Sequence, residues 1–330
     1  MGSMITLGID KFEIDWGKNN SFTDHSALFL PSDVDQMPYY YADDVVEMKE
    51  GLARKLSSIK RRLDLLGYSP RTLARKYEEH LDVVPDYYPD VPISFEQFRS
   101  AVSSIDLEKV SLDPEFGDYD LGEFVSRYVF RDPEVRQHLP PDVEIDTDLG
   151  TFFENLNPYL TLRLLAENKK NADRFVQWRY ADVVDGGWVN RDEIVTPLPD
   201  ASKILVVTEG SSDSFIIERA MATLSPDIAD FFHFVDMEEH YPFTGTGNLF
   251  RFCQGLSRIK IQNNVLVIFD NDAAGVEKFE QSRNLIKPKN LHICRLPDHE
   301  FFLASRQLGQ TVPQMKTSMG QPSQLSAFWI

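Results

Sequence analysis

Val206-Val207-Thr208-Glu209-Gly210-Ser211-Ser212-Asp213 and, further on, Val267-Ile268-Phe269-Asp270-Asn271-Asp272 are the stretches that decide the fold. Each is an apolar run that breaks abruptly into acid. Around them the chain has a steady rhythm. Strand-length apolar runs at Ile204–Thr208, Phe231–Val235, Val265–Phe269 and Leu291–Leu296 alternate with helix-length segments near Asp213–Leu224, Asn248–Ile259 and Ala273–Ile286. Continuous apolar strands alternating with helices predict a four-stranded parallel sheet covered on both faces. Acids at the carboxyl ends of such strands stand where open α/β sheets bind ligands. Carboxylates converging there repel one another unless a divalent cation neutralises them, and Mg²⁺ is a hard cation that takes oxygen ligands.

The charge supports this division of labour. The chain has 330 residues and a net charge of −18. Residues 201–330 hold 12 basic and 14 acidic residues, whereas the first 200 hold 22 basic and 38 acidic. Nucleic-acid affinity rests largely on Lys and Arg neutralising phosphates. Contact with a nucleic acid is therefore expected through the near-neutral C-terminal half. The acidic half reads as a solvated surface, a face for a regulatory protein or a second copy, or a shield over the site. No apolar stretch is long enough to span a membrane. The two cysteines, Cys253 and Cys294, form neither a metal cluster nor a disulfide framework, which fits a reducing cytoplasm.

The N-terminal half reads as a mainly helical α+β domain. Residues 4–9 and 26–30 are strand-like, and Pro31 to Tyr41 reads as a loop. Val45, Met48, Leu52, Leu56, Ile59, Leu63 and Leu66 recur at three- and four-residue steps, predicting one helix from about Asp43 to Leu66. Lys55, Lys60, Arg61 and Arg62 fall off that stripe as a basic face, solvated or able to meet phosphate. Gly67 stops the helix, and Ser69-Pro70 opens the next. Ser94-Phe95-Glu96-Gln97 has the form of a capping box, Leu121 to Phe130 reads as helix, and Asn157-Pro158 starts another. Asp182 to Pro199, with Gly186-Gly187 between apolar pieces, predicts a β-hairpin. The expected domains are a tag remnant at 1–3, an N-terminal domain at 4–200, an α/β domain at 201–303 and an irregular tail at 304–330. That tail is open to three readings: disordered, truncated or frame-shifted.

Glu209 after the first strand and Asp270-Asn271-Asp272 after the third resemble the TOPRIM domain of topoisomerases, bacterial primases, recombination proteins, overcoming-lysogenization-defect nucleases and RNA-cleaving maturases. The resemblance covers roughly residues 203–298. It implies Glu209, Asp270 and Asp272 as catalytic groups. It also implies Glu209, Asp213, Asp270 and Asp272 as ligands for Mg²⁺, with Mn²⁺ as substitute. Asp213 matches an acid of the nuclease branches. Neither a Gly-x-Gly-x-x-Gly nor a Walker loop follows the first strand, which sets aside the dinucleotide- and nucleotide-binding alternatives. Gly245-Thr246-Gly247-Asn248 precedes a helix; Gly245, Gly247 and Asn248 are candidates for a phosphate cradle or for a simple capped turn. Asp236, Glu238 and Glu239 are candidate outer acids. Glu209, desolvated among like charges, is expected to have a raised pKa suited to proton transfer.

Phe12-Glu13-Ile14-Asp15-Trp16-Gly17-Lys18-Asn19, followed by Asp24-His25-Ser26, resembles the domain at the N-terminus of HEPN or TOPRIM effectors in bacterial conflict systems. Arg75…His80 and Arg131…His138 have the Arg-to-His spacing of HEPN ribonucleases. Together the resemblances imply a Mg²⁺-dependent nuclease acting in defence or as a toxin, with RNA favoured over DNA and tRNA as a target. A DNA-nicking nuclease and a non-catalytic binding module stay open beside it.

Overall fold

The computed structural model describes residues 2–10, 12–41, 45–83, 92–110, 125–144, 149–235, 245–259 and 262–298. The chain forms two compact units that part between Pro197 and Leu198. Asp236, Glu238, Glu239, the start of the helix expected from Leu121 and the tail from 299 onward lie outside the described residues.

The N-terminal unit is built on a five-stranded antiparallel sheet of order β2-β1-β5-β4-β3. Its strands are β1 (Met4–Ile9), β2 (Phe12–Lys18), β3 (Val34–Tyr40), β4 (Val46–Lys55) and β5 (Phe175–Arg179). The helices Leu56–Leu65, Phe95–Ser104 and Pro158–Leu165 supply Ile59, Leu63, Phe98, Val102, Leu160 and Leu164 to a core shared with Leu7, Val176 and Trp178 of the sheet. Each leucine so buried contributes about 2 kcal/mol. Ser94 caps its helix by accepting from the Gln97 amide, and Gln97 reaches back, as the capping-box pattern predicts. Asn157 caps the helix that Pro158 opens, and Gly67, at φ +91°, follows the end of the helix Leu56–Leu65.

Several expectations for this unit are overturned. The single helix from Asp43 to Leu66 is instead β4 followed by the helix Leu56–Leu65. A step of four returns a side chain to the same face in both periods, so Met48, Leu52 and Leu56 fit either one. Met48, expected inward, is 61% exposed, while Leu52 is buried from the strand. Ser26–Leu28 is a 3-10 turn rather than a strand, and β1 pairs instead with β2 and β5. Pro31 to Tyr41 holds β3; Pro38 is tolerated there because β3 is an edge strand. The hairpin expected from Asp182 is a pair of short helices, Ala181–Asp185 and Arg191–Ile194. Gly187, at φ +71°, follows the first of them in the left-handed region that closes helices as readily as it turns hairpins. Arg62, expected on a solvated face, is wholly buried and donates to the carbonyls of Ala27 and Phe29 at 2.9 and 3.1 Å.

The C-terminal unit follows the expected pattern closely. β6 (Ile204–Thr208), β7 (Phe232–Phe234), β8 (Val265–Phe269) and β9 (Leu291–Arg295) form an all-parallel sheet of order β7-β6-β8-β9. Val207, Val265, Val267, Phe269 and Leu291 pack under Leu249, Cys253 and Leu256 of the helix Thr246–Leu256. The opposite face meets the helix Ser211–Leu224, whose Ser214 hydroxyl lies 2.8 Å from that of Thr208. Among the described residues no helix is long and apolar enough to cross a membrane.

Candidate active site

The order of the parallel strands creates the crevice. From β6 the chain passes to β7 on one side, and from β8 to β9 on the other. The loops leaving the adjacent carboxyl ends of β6 and β8 therefore diverge, and the gap between them is the switch point at which open α/β sheets hold ligands. Glu209 and Asp213 come from the first loop, Asp270 and Asp272 from the second.

Glu209 joins three segments. Its Oε1 accepts from the Asp270 amide at 3.0 Å, and its Oε2 accepts from the Thr246 hydroxyl at 2.7 Å. The Gly245 amide donates to the Glu209 carbonyl at 3.1 Å. The Gly245-Thr246-Gly247-Asn248 loop is thus brought to the site and tied there by Thr246. Gly245 takes φ +89°, and the Asn248 amide closes onto the Gly245 carbonyl at 3.1 Å.

Asp272 caps the helix Ala273–Arg283, its Oδ1 accepting from the Gly275 amide at 2.7 Å. Gly275 lets that helix close against the loop: a Cβ there would stand 2.2 Å from the Asp270 carbonyl oxygen and 3.0 Å from Glu209 Oε1. Asp213 lies in the first turn of the helix Ser211–Leu224, where the helix dipole favours an anion. Crowding falls on Asp270. Its carboxyl is pushed up to about 6, first by burial and then by the charges of Asp213, Glu209 and Asp272. Burial also pushes up both thiols, Cys253 to about 12 and Cys294 to about 11, so neither is poised as a nucleophile.

The four acids therefore meet electrostatically, but not as a closed cage. Among the described residues, no three His, Cys, Asp or Glu side chains are gathered closely enough to hold a metal ion between them. Glu209 and Asp272 each have oxygens committed to hydrogen bonds within the site. The donor chemistry still suits Mg²⁺, which is usually held by one or two carboxylates and completes its shell with water and substrate phosphate.

A model of the HEPN/Toprim N-terminal domain 1 family matches residues 1–202 of the 330-residue chain. The chain belongs to this family. No curated protein and no solved structure matches it.

Within the family domain, the motif residues Asp15 and His25 are partners. His25 is buried, with Nε2 2.8 Å from Asp15 Oδ2 and Nδ1 3.4 Å from the Tyr159 hydroxyl. They brace β2 against the core. The HEPN-like candidates do not converge. Arg75 is exposed and paired with Glu79 at 2.7 Å, while His80 is half-buried and its imidazole is held below its ordinary value by burial. Five residues apart on the helix Leu73–Val83, they face different directions. Arg131 donates to the Ser126 carbonyl. Thr246, bonded to Glu209, and Asn271, bonded to Arg295, also belong to the site. Neither carries a local signal, because their partners lie in other loops.

Proposed function

We propose that the C-terminal unit is a TOPRIM-type, Mg²⁺-dependent phosphodiesterase that cleaves RNA, with tRNA as a candidate target, in a toxin or antiviral role. The observation that carries this reading is the meeting of Glu209, Asp213, Asp270 and Asp272 at the switch-point crevice, where burial first and the three other acids second push Asp270 up to about 6. Structural ion networks also perturb carboxyls, but among the described residues the charges acting on Asp270 are those of three other acids, which supports a cation site.

Asp270 and Asp213, the pair with the largest charge coupling, would hold the cation, with Asp272 beside them. Mn²⁺ would substitute. When bound, Mg²⁺ supplies charge for the scissile phosphate and lowers the pKa of water. The chain's own groups do the rest. Glu209, oriented by the Asp270 amide and the Thr246 hydroxyl, takes a proton from the attacking water. Gly275 keeps the two loops in contact. Because a proton competes with the cation for Asp270, cation affinity falls as pH drops through about 6. The near-neutral charge of this unit suits contact with a polyanion better than the acidic first 200 residues do, which are left to a regulatory partner or a second copy.

The test uses purified protein with total RNA and with plasmid, each in Mg²⁺, Mn²⁺ or EDTA, beside Glu209→Gln and the double variant Asp270→Asn/Asp272→Asn. Cleavage of RNA that stops in EDTA and in both variants is expected. Cleavage that persists in either would overturn the metal site, and nicking of plasmid without RNA cleavage would assign DNA. A second reading, a non-catalytic binding module, draws on the commitment of Glu209 and Asp272 to internal hydrogen bonds. Loss of neither polymer under any metal would favour it.

A further inference from the structure

We propose that Arg295 is a positioning residue of the acid site: with Asn271 and Asp298 it forms a clasp that holds the Asp270–Asp272 loop. What the loop does rests on the reading above; the clasp itself rests on geometry. Arg295 ends β9 and lies opposite Phe269, the last residue of β8, in the parallel register. The Leu296 amide donates to the Phe269 carbonyl at 2.9 Å, so β9 stays paired up to the point where the acid loop begins.

Three side chains then close a ring. Arg295 Nη1 donates to Asn271 Oδ1 at 2.5 Å, and the guanidinium grips Asp298 with both nitrogens, at 3.1 and 2.9 Å. Asn271 Nδ2 donates to Asp298 Oδ1 at 2.8 Å. Asn271 is the residue between the two acids, so fixing its side chain fixes the backbone from which Asp270 and Asp272 both project. The loop needs such a hold, because four like charges at its mouth push it open. Arg295 adds a positive charge there as well. The grip on Asp298 uses two parallel N–H groups while a third contact reaches Asn271, a pattern that suits a planar guanidinium and not an ammonium. The ring is half-exposed, with Arg295 at 28% and Asp298 at 55%, so it supplies order to the loop rather than burial to the core.

Partners behind metal-binding groups typically contribute 10–100-fold to affinity. The experiment titrates Mn²⁺ into the full chain by calorimetry for wild type, Arg295→Ala, Arg295→Lys, Asn271→Ala and the Arg295→Ala/Asn271→Ala pair. Expected are a loss of about 10-fold or more in both Ala variants, little further loss in the pair, and partial recovery with Lys. In parallel, hydrogen exchange in EDTA reads the amides of Asp270 and Gly275, which bond Glu209 and Asp272. Arg295→Ala should deprotect these two while β8 amides such as that of Val267 keep their protection. Affinity within twofold of wild type, unchanged exchange at Asp270 and Gly275, or loss spreading through β8 would each overturn the clasp. If wild-type Mn²⁺ binding is absent or indifferent to Asp270→Asn, the nuclease reading falls, and the exchange measurement alone decides the clasp.

Discussion

Asp270 concentrates the electrostatic tension of the site, and its sign can be worked out. Its folded-state pKa of about 6 lies above the ordinary carboxylate value of 3.8, so the folded chain binds more protons than the unfolded chain between those limits. Stability without metal therefore falls as pH rises from about 4 to about 6, and the penalty is fully present above that. Asp270→Asn removes it. Two units correspond to about 3 kcal/mol, which solvent screening of this partly exposed group reduces to the order of 1 kcal/mol. Calorimetry in EDTA should show the variant melting a few degrees above wild type at pH 7.5, with the gap narrowing at pH 5. A lower midpoint at pH 7.5 would show that the Asp270 carboxyl is not raised in the folded chain. Gly275 carries the opposite sign. Gly to Ala inside a helix usually stabilises by about 1 kcal/mol. Here the new methyl would meet the Asp270 carbonyl at 2.2 Å, so Gly275→Ala should instead cost about 1–3 kcal/mol and be read as a lower denaturation midpoint.

Elements show where local pattern is ambiguous. β4 reads as helix in the sequence because its apolar residues step by four, a spacing that both periods satisfy. Gly51 separates the two by experiment. In a helix, Gly51→Ala would stabilise. In β4 the added Cβ stands 2.9 Å from the Trp178 carbonyl oxygen and 2.4 Å from the Met37 sulfur, so denaturant unfolding should show a loss of about 1–3 kcal/mol. Met37 can move aside; the β5 backbone cannot. At the site, Thr246 binds the start of the helix Thr246–Leu256 to Glu209 across 37 residues of sequence. Thr246→Val keeps the shape and removes the hydroxyl. A hydrogen bond to a charged group contributes about 1.5–3 kcal/mol at most, so a loss toward 1 kcal/mol is expected at this half-buried position, measured by urea unfolding.

At the scale of the molecule, the two units were not equally legible. The strands β6 and β8 and the start of the helix Ala273–Arg283 stand where the sequence placed them. A strand buried on both faces must be apolar throughout, and the acid that ends it marks its carboxyl end. The N-terminal sheet hides its strands. β5, at its centre, buries Val176 and Trp178 but exposes Phe175, and it went unpredicted because two inward residues make too short an alternation. The division into two units also makes a prediction: a cation that binds the acids stabilises its own unit by mass action. Adding Mn²⁺ in a scanning calorimeter should raise the transition assigned to the C-terminal unit and leave the other in place, and equal shifts in both would contradict it. The candidate site is thus legible in the sequence itself, through Glu209 and the Asp270-Asn271-Asp272 motif at the ends of apolar runs. Tertiary structure alone decided that Asp270 bears the charge crowding, that Thr246 holds Glu209, and that Arg295 closes on Asn271 from 24 residues away. Strand identity is written locally in hydrophobic period. Which oxygens face one another depends on sheet order and on loops that meet only when the chain has folded.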